Sequence, residues 1–254
     1  SLHQAANFSE GKFTKYYHLS YPQQSIQFLD NFFPDTTINS MSYTIYLKED
    51  VDIILLKTAI NKIIQIHDSL RIQINFKNDR LYQHITPFEK ADIPVIDFTK
   101  FKDDNQFIEF EKQWREKVIK LHGVKLYEFT IFRKSNSQVG YFIKMHHIIH
   151  DGWGIIVLID DILKYYNDLK NKVPQPQITA PSYLHFIKRY YDYQYSNKFI
   201  IDKKFWLEEL KDLSKESNNN TPIENTGGIS NRVTKTINKP LALQINKYIT
   251  HLPN

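Results

Sequence analysis

Three histidines and an aspartate fall close together at His146-His147-Ile148-Ile149-His150-Asp151, followed at once by Gly152-Trp153-Gly154. Imidazole is the side chain that gains and loses protons near neutrality, and a carboxylate beside it can orient the ring. Three readings fit these residue types. They are polar loop residues at the end of a core strand, a metal site, or a single catalytic histidine positioned by a buried carboxylate. On an extended backbone, adjacent side chains point to opposite sides, so only one of His146 and His147 faces a given pocket. That divergence counts against a metal site, as do the lack of a helical His-x-x-x-His pair and of any cysteine. A lone histidine would favour the loop reading, but this density makes it the weaker one. Asp151 followed by Gly152 suits a turn into a helix, the small residue permitting close backbone approach.

The elements around the cluster must present it. Leu126–Phe132 and Val139–Met145 are β-rich, and Ser135-Asn136-Ser137 between them supplies a hairpin turn. The second strand runs straight into the histidines. Beyond them, Ile155, Leu158, Ile159, Ile162 and Tyr166 form the apolar stripe of a helix that starts near Trp153. Upstream, helical spacing covers Tyr21–Phe33, and Met41–Leu47 alternates like a strand. Asp50 or Asp52 caps a helix running to about His67. Leu70–Phe76 and Leu81–Ile85 pair around Lys77-Asn78-Asp79, Pro94–Phe98 is a short strand, and Phe107–Leu121 is an amphipathic helix. Downstream, Val173–Pro181 is an extended linker, and Tyr183–Tyr195 and Lys198–Leu213 are helices. Ser214–Gly228 is a polar loop, Arg232–Ile237 a strand and Leu241–Ile249 a helix. The alternation implies a mixed sheet with the 126–132/139–145 hairpin at its centre and helices covering one face.

Composition narrows the function classes. A chain of 254 residues with 41% hydrophobic residues can bury a sizeable core. Net charge is +5, but basic and acidic residues are interspersed, as in Glu111, Lys112, Arg115, Glu116 and Lys117. A nucleic-acid binder concentrates its cations in a stripe and carries a recognisable motif, so no nucleic acid is expected. No apolar run approaches the ~20 residues that span a bilayer, and Ser1–Lys12 lacks the apolar core of a signal peptide. Cysteine is absent, which excludes disulfides. These features together give an expectation of a cytoplasmic protein with no membrane partner.

Other segments carry a resemblance. His146-His147-Ile148-Ile149-His150-Asp151-Gly152 matches the pattern HHxxxDG, preceded by Met145 and followed by Trp153. Ser20-Tyr21-Pro22-Gln23-Gln24-Ser25-Ile26, His67-Asp68-Ser69-Leu70-Arg71-Ile72-Gln73-Ile74-Asn75-Phe76, Pro181-Ser182-Tyr183-Leu184-His185-Phe186 and Phe205-Trp206 follow the order of further family motifs. With these the chain resembles the condensation domains of nonribosomal peptide synthetases, in the superfamily whose prototype is chloramphenicol acetyltransferase. It departs from their pattern at Ile66, where an arginine is usual, at His185, where an acid is usual, and at Gly154, where a serine is usual. His150 falls at a free position.

The resemblance implies an α/β fold of the α+β two-layer sandwich type: a chloramphenicol acetyltransferase-like lobe with a mixed sheet covered by helices. Residues 1–180 would be the N-terminal lobe with the HHxxxDG loop, and 181–254 a helical connection and the start of a second lobe. The chain would then be a fragment, inactive alone, because the family's active site lies in a channel between two lobes. The implied reaction joins a donor acyl or peptidyl thioester to an acceptor amine, both carried on phosphopantetheine arms of peptidyl carrier domains beside an adenylation domain. The protein itself would hold no cofactor and no metal. His147 would remove the amine proton or orient the nucleophile, and His146 would brace the loop. Asp151 would form a buried pair with Arg71, and Gly152 would offer a backbone N–H near the developing oxyanion. The rival readings are a coenzyme A-dependent acyltransferase of the same superfamily, a noncatalytic docking module of the same fold and a metallohydrolase.

Overall fold

The computed structural model describes residues 5–6, 15–47, 50–77, 80–101, 103–135, 137–174, 177–211 and 235–250. At the centre is the expected hairpin, β7 (Tyr127–Ser135) and β8 (Gln138–His146). β3 (Ser40–Leu47) lies antiparallel along β8, with Ser40 opposite His146. β6 (Val95–Asp97) runs parallel to β7, so the sheet order is β3-β8-β7-β6 and the sheet is mixed. A second sheet, β1-β2-β5-β4, is built from β1 (Ala5–Ala6), β2 (Lys15–His18), β5 (Arg80–Ile85) and β4 (Ile72–Lys77). Sequence reasoning placed β4 and β5 as a pair but assigned no strand to 15–18.

Side-chain alternation along β7 and β8 explains the layers. Tyr127, Phe129, Ile131, Val139, Tyr141, Ile143 and Met145 point into the main core. There they meet α2 (Ile53–Ile66) through Leu56, Ala59, Ile60, Ile63 and Ile64, and α4 (Gly152–Lys170) through Ile155, Leu158, Ile162 and Tyr166. Asp52, not Asp50, caps α2, accepting from the amides of Ile54 and Leu55 at 2.8 and 3.1 Å. The expectation of helical cover on one face describes this main core and stops there. Phe132 and Phe142 point the other way and pack with Phe98 and with Phe107 and Trp114 of α3 (Asn105–Glu116), an aromatic cluster on the opposite face.

α3 ends earlier than its apolar spacing suggests. Lys144, wholly buried on β8, donates to the carbonyl oxygens of Trp114 and of Lys117, the latter at 2.6 Å. An ammonium at a helix C-terminus meets the carbonyls left without intrahelical partners. Beyond it Ile119 and Leu121 still enter the core, but from non-helical backbone. Burial lowers the Lys144 pKa to about 8.

Downstream, 173–174 and 177–182 form neither helix nor strand, as expected for a linker. α5 (Tyr183–Gln194) returns to the body, where Tyr191 donates to the His18 carbonyl at 3.0 Å. α6 (Asn197–Glu209) and α7 (Lys239–Ile249) have no buried residue. The expected loop 214–228 lies outside the described residues, as does 232–234 of the expected strand, and 235–238 carries no strand.

Candidate active site

β8 ends at His146, the next three residues make a tight turn, and Asp151 caps α4 by accepting from Gly154 N at 2.7 Å. The two adjacent histidines diverge as extended backbone requires. His146 is 2% exposed, while His147 is exposed.

The buried histidine is held from two directions. Its Nδ1 accepts from Ile148 N at 3.1 Å, so the ring proton sits on Nε2, which lies 2.9 Å from Asp30 Oδ2. Asp30 belongs to α1 (Tyr21–Phe32), and its Oδ1 accepts from Asn39 Nδ2 at 2.6 Å. Burial opposes ionisation of Asp30, but the hydrogen bonds from His146 and Asn39 outweigh it and hold the carboxyl below its ordinary value. Asn39 also gives its carbonyl to His147 N at 2.8 Å. Gln23, buried in α1, donates to the Ile148 carbonyl at 3.1 Å and exchanges amide hydrogen bonds with Gln83 of β5 at 2.9 Å. Ser20 and Gln23 make a capping box at the start of α1. The Ser and Gln of the opening motif thus start α1 and tie it to the turn.

Among the described residues, the exposed histidine has one ring contact: Nδ1 lies 2.9 Å from the His150 carbonyl oxygen. A carbonyl only accepts, so Nδ1 carries the proton and Nε2 keeps a free lone pair. That is the form of imidazole able to take a proton from a neighbouring nucleophile.

Gly152 opens α4, and a Cβ built on it meets nothing within 4 Å. The close internal approach expected there is absent, and its φ is not in the left-handed region. Nothing inside the described structure requires a glycine at this position. Trp153, 79% exposed, follows, with Ile156 and Val157 also exposed at spacings that place the three along one side of the helix.

The second motif sits on the short 3₁₀ turn Asp68–Arg71 and is a set of staples. His67 Nε2 reaches Asp161 Oδ2 of α4 at 2.7 Å. Asp68 accepts from Ser182 Oγ at 2.5 Å and Tyr183 N at 2.7 Å, fixing the start of α5. Ser69 Oγ lies 3.2 Å from His150 Nε2, and Leu70 is buried. Arg71 is a correction. Instead of pairing with Asp151, it donates to the Thr86 carbonyl at 3.1 Å and to the carbonyls of Ile64 and Gln65 at the end of α2. A guanidinium at a helix C-terminus satisfies orphan carbonyls, and Asp151 has its own work at the start of α4. Asp151 is exposed, so neither half of the expected buried pair holds.

Among the described residues, no cluster of three or more His, Cys, Asp or Glu is placed to hold a metal ion. No helix in them is long and apolar enough to cross a membrane.

Fold and site define a class, an α/β lobe that presents a histidine at the end of a central strand. Solved structures agree on that fold. The starter condensation domain of rhizomide synthetase superposes with a TM-score of 0.73 at 21% identity, over 79% of this chain and 49% of that one. The first condensation domain of the CDA synthetase gives 0.67 at 14% identity, over 79% and 51%. The condensation-domain family profile matches residues 14–246, and the chain belongs to that family. A plipastatin synthase protein of Bacillus subtilis is 29% identical over 200 residues, which is 77% of this chain and 8% of that protein. Surfactin synthase subunit 1 of the same organism is 25% identical over 78% of this chain and 6% of its own length. The chain therefore spans about half the length of the solved domains and a small part of the curated relatives.

Proposed function

We propose that this chain supplies the histidine-bearing half of a peptide-bond-forming site, in which an acceptor amine attacks a donor thioester. One observation carries the reading: His147 is exposed in the turn between β8 and α4 with Nδ1 engaged by the His150 carbonyl and Nε2 free. In the reaction, a C–N bond forms as the amine nitrogen adds to the thioester carbonyl, and His147 Nε2 accepts the amine proton. The C–S bond then breaks, and the proton passes to the departing thiolate of the donor arm. The open space at Gly152 admits the reacting carbonyl, and its backbone N–H at the helix N-terminus favours the negative oxygen.

Both arms are phosphopantetheine on peptidyl carrier domains and arrive with the substrates. An adenylation domain that loads the acceptor completes the expected set of partners, in a cytoplasmic setting. Residues 1–180 act as the lobe and 181–254 as the connection toward a second lobe. The exposed Trp153, Ile156 and Val157 on α4, and Ile200, Ile201, Phe205, Trp206 and Leu207 on α6, support further structure packing there.

A single-turnover assay with loaded donor and acceptor carriers tests this, run on the chain alone and on the chain completed by a second lobe. Product in the completed form, lost in His147→Ala, is expected. Turnover with acyl-coenzyme A and a free amine, independent of any carrier, would replace this reading by the coenzyme A-dependent one.

A further inference from the structure

We infer that His150 is a positioning residue for His147, and that Gly154 provides the space in which its ring is held; the inference rests on the reading of His147 above. The His150 carbonyl receives the His147 Nδ1 proton and thereby sets which nitrogen of His147 is free. That carbonyl lies between the turn and α4, with no strand or helix to fix its direction. What fixes it is the side chain of the same residue. At one end, His150 Nε2 meets Ser69 Oγ at 3.2 Å. At the other, the ring lies against Gly154: a Cβ there would stand 2.2 Å from His150 Nδ1 and 2.9 Å from Cε1.

Gly154 has an ordinary helical backbone, so no dihedral demands a glycine, and glycine weakens a helix. The ring of His150 is the physical reason for it. The two positions are therefore matched, histidine at 150 with glycine at 154, and a side chain at 154 would displace the ring. Burial supports a purely positional role, lowering the His150 pKa to about 4, so the ring stays neutral at neutral pH and is a weak base beside His147.

The experiment is nitrogen-15 NMR of the histidine rings in the full chain at about pH 8, where an ordinary imidazole is neutral. It compares the parent with His150→Ala, Gly154→Ser, Ser69→Ala and the double variant His150→Ala/Gly154→Ser. In the parent, His147 should be almost wholly the Nδ1–H tautomer. His150→Ala and Gly154→Ser should each turn it into a mixture, and Ser69→Ala should do so to a smaller degree. The double variant should lie close to His150→Ala, because the ring is the nearest group to a Cβ at 154, with Asp151 Oδ1 next at 3.3 Å.

An Nδ1–H tautomer that stays dominant in His150→Ala overturns the positioning role, and full additivity in the double variant overturns the matched pair. If His150→Ala does not fold, Ser69→Ala and Gly154→Ser decide, and an unchanged tautomer in both refutes the inference. No substrate takes part, so these outcomes are separate from the condensation assay. Full activity of His147→Ala would sink the proposed reaction and leave the ring geometry standing.

Discussion

The turn at the end of β8 has two sides built in opposite ways. On the inner side, His146, Asp30, Asn39 and Gln23 join β8, α1, the residue just before β3 and the turn through polar contacts between elements. On the outer side, His147, Gly152 and Trp153 are exposed, and the contacts that hold His147 come from backbone: Asn39 O on its amide and His150 O on its ring. Two adjacent residues of one type thus do different work because the backbone sends them apart. The inner side spends its hydrogen bonds on rigidity, so the outer side keeps a nitrogen free.

If that division is right, substitutions on the outer side change turnover and those on the inner side change stability. The largest effect expected is on chemistry. His147→Ala in the completed site should lower condensation by ~10²–10⁴-fold if the ring acts as general base, while its unfolding free energy stays within about 0.5 kcal/mol of the parent. A turnover loss below tenfold would assign the ring to orientation. His146→Ala should behave in the reverse way. It leaves the Asp30 carboxylate short of a partner, at a cost of about 3 kcal/mol in chemical denaturation. An unchanged midpoint would break the comparison at its inner half.

Gln23→Ala comes next, at about 1–3 kcal/mol, because it leaves the Ile148 carbonyl and the Gln83 amide without their buried partner. Acid unfolding sharpens the same point. The Asp30 pKa is depressed in the folded state, so its contribution is present above its ordinary value of 3.8 and lost as pH falls through the lower folded value. Asp30→Asn should make the unfolding free energy less steeply dependent on pH below about 4, and an unaltered acid limb would show that the carboxylate is not held as described. The smallest effect concerns Arg71. Arg71→Ala and Asp151→Ala should be additive within about 0.5 kcal/mol, since the two side chains have no partner in common. A coupling energy above about 1 kcal/mol would restore the ion pair that the geometry denies.

The order of elements was legible because their apolar periods are clean. The hairpin, α2 and α4 follow from Val139–Met145, Leu56–Ile63 and Ile155–Tyr166 almost residue for residue. What escaped were side chains whose partners are distant in sequence. Asp30 is an acid in the last turn of α1, where the helix dipole disfavours one, and that misfit was the available signal of a partner elsewhere. Lys144 in an otherwise apolar strand was a similar signal, and it explains why α3 stops at Glu116 although apolar residues continue to Leu121. Arg71 went wrong for the opposite reason. The family resemblance implied a pairing with Asp151, yet nearby helix-end carbonyls and Thr86 claimed the guanidinium, and an N-terminal amide claimed Asp151.

The short turn at Asp68–Arg71 has a consequence for how the molecule opens. With His67 it contacts α2, α4, α5 and the His150 turn within five consecutive residues. Segments fastened at one place exchange their amide protons together, because freeing any one of them strains the others. Amides at the end of α2, around Asp161 in α4 and at the start of α5 should therefore share one opening free energy in native-state hydrogen exchange, as a single cooperative unit. The outlying α6 and α7, without a buried residue among those described, should exchange apart from it.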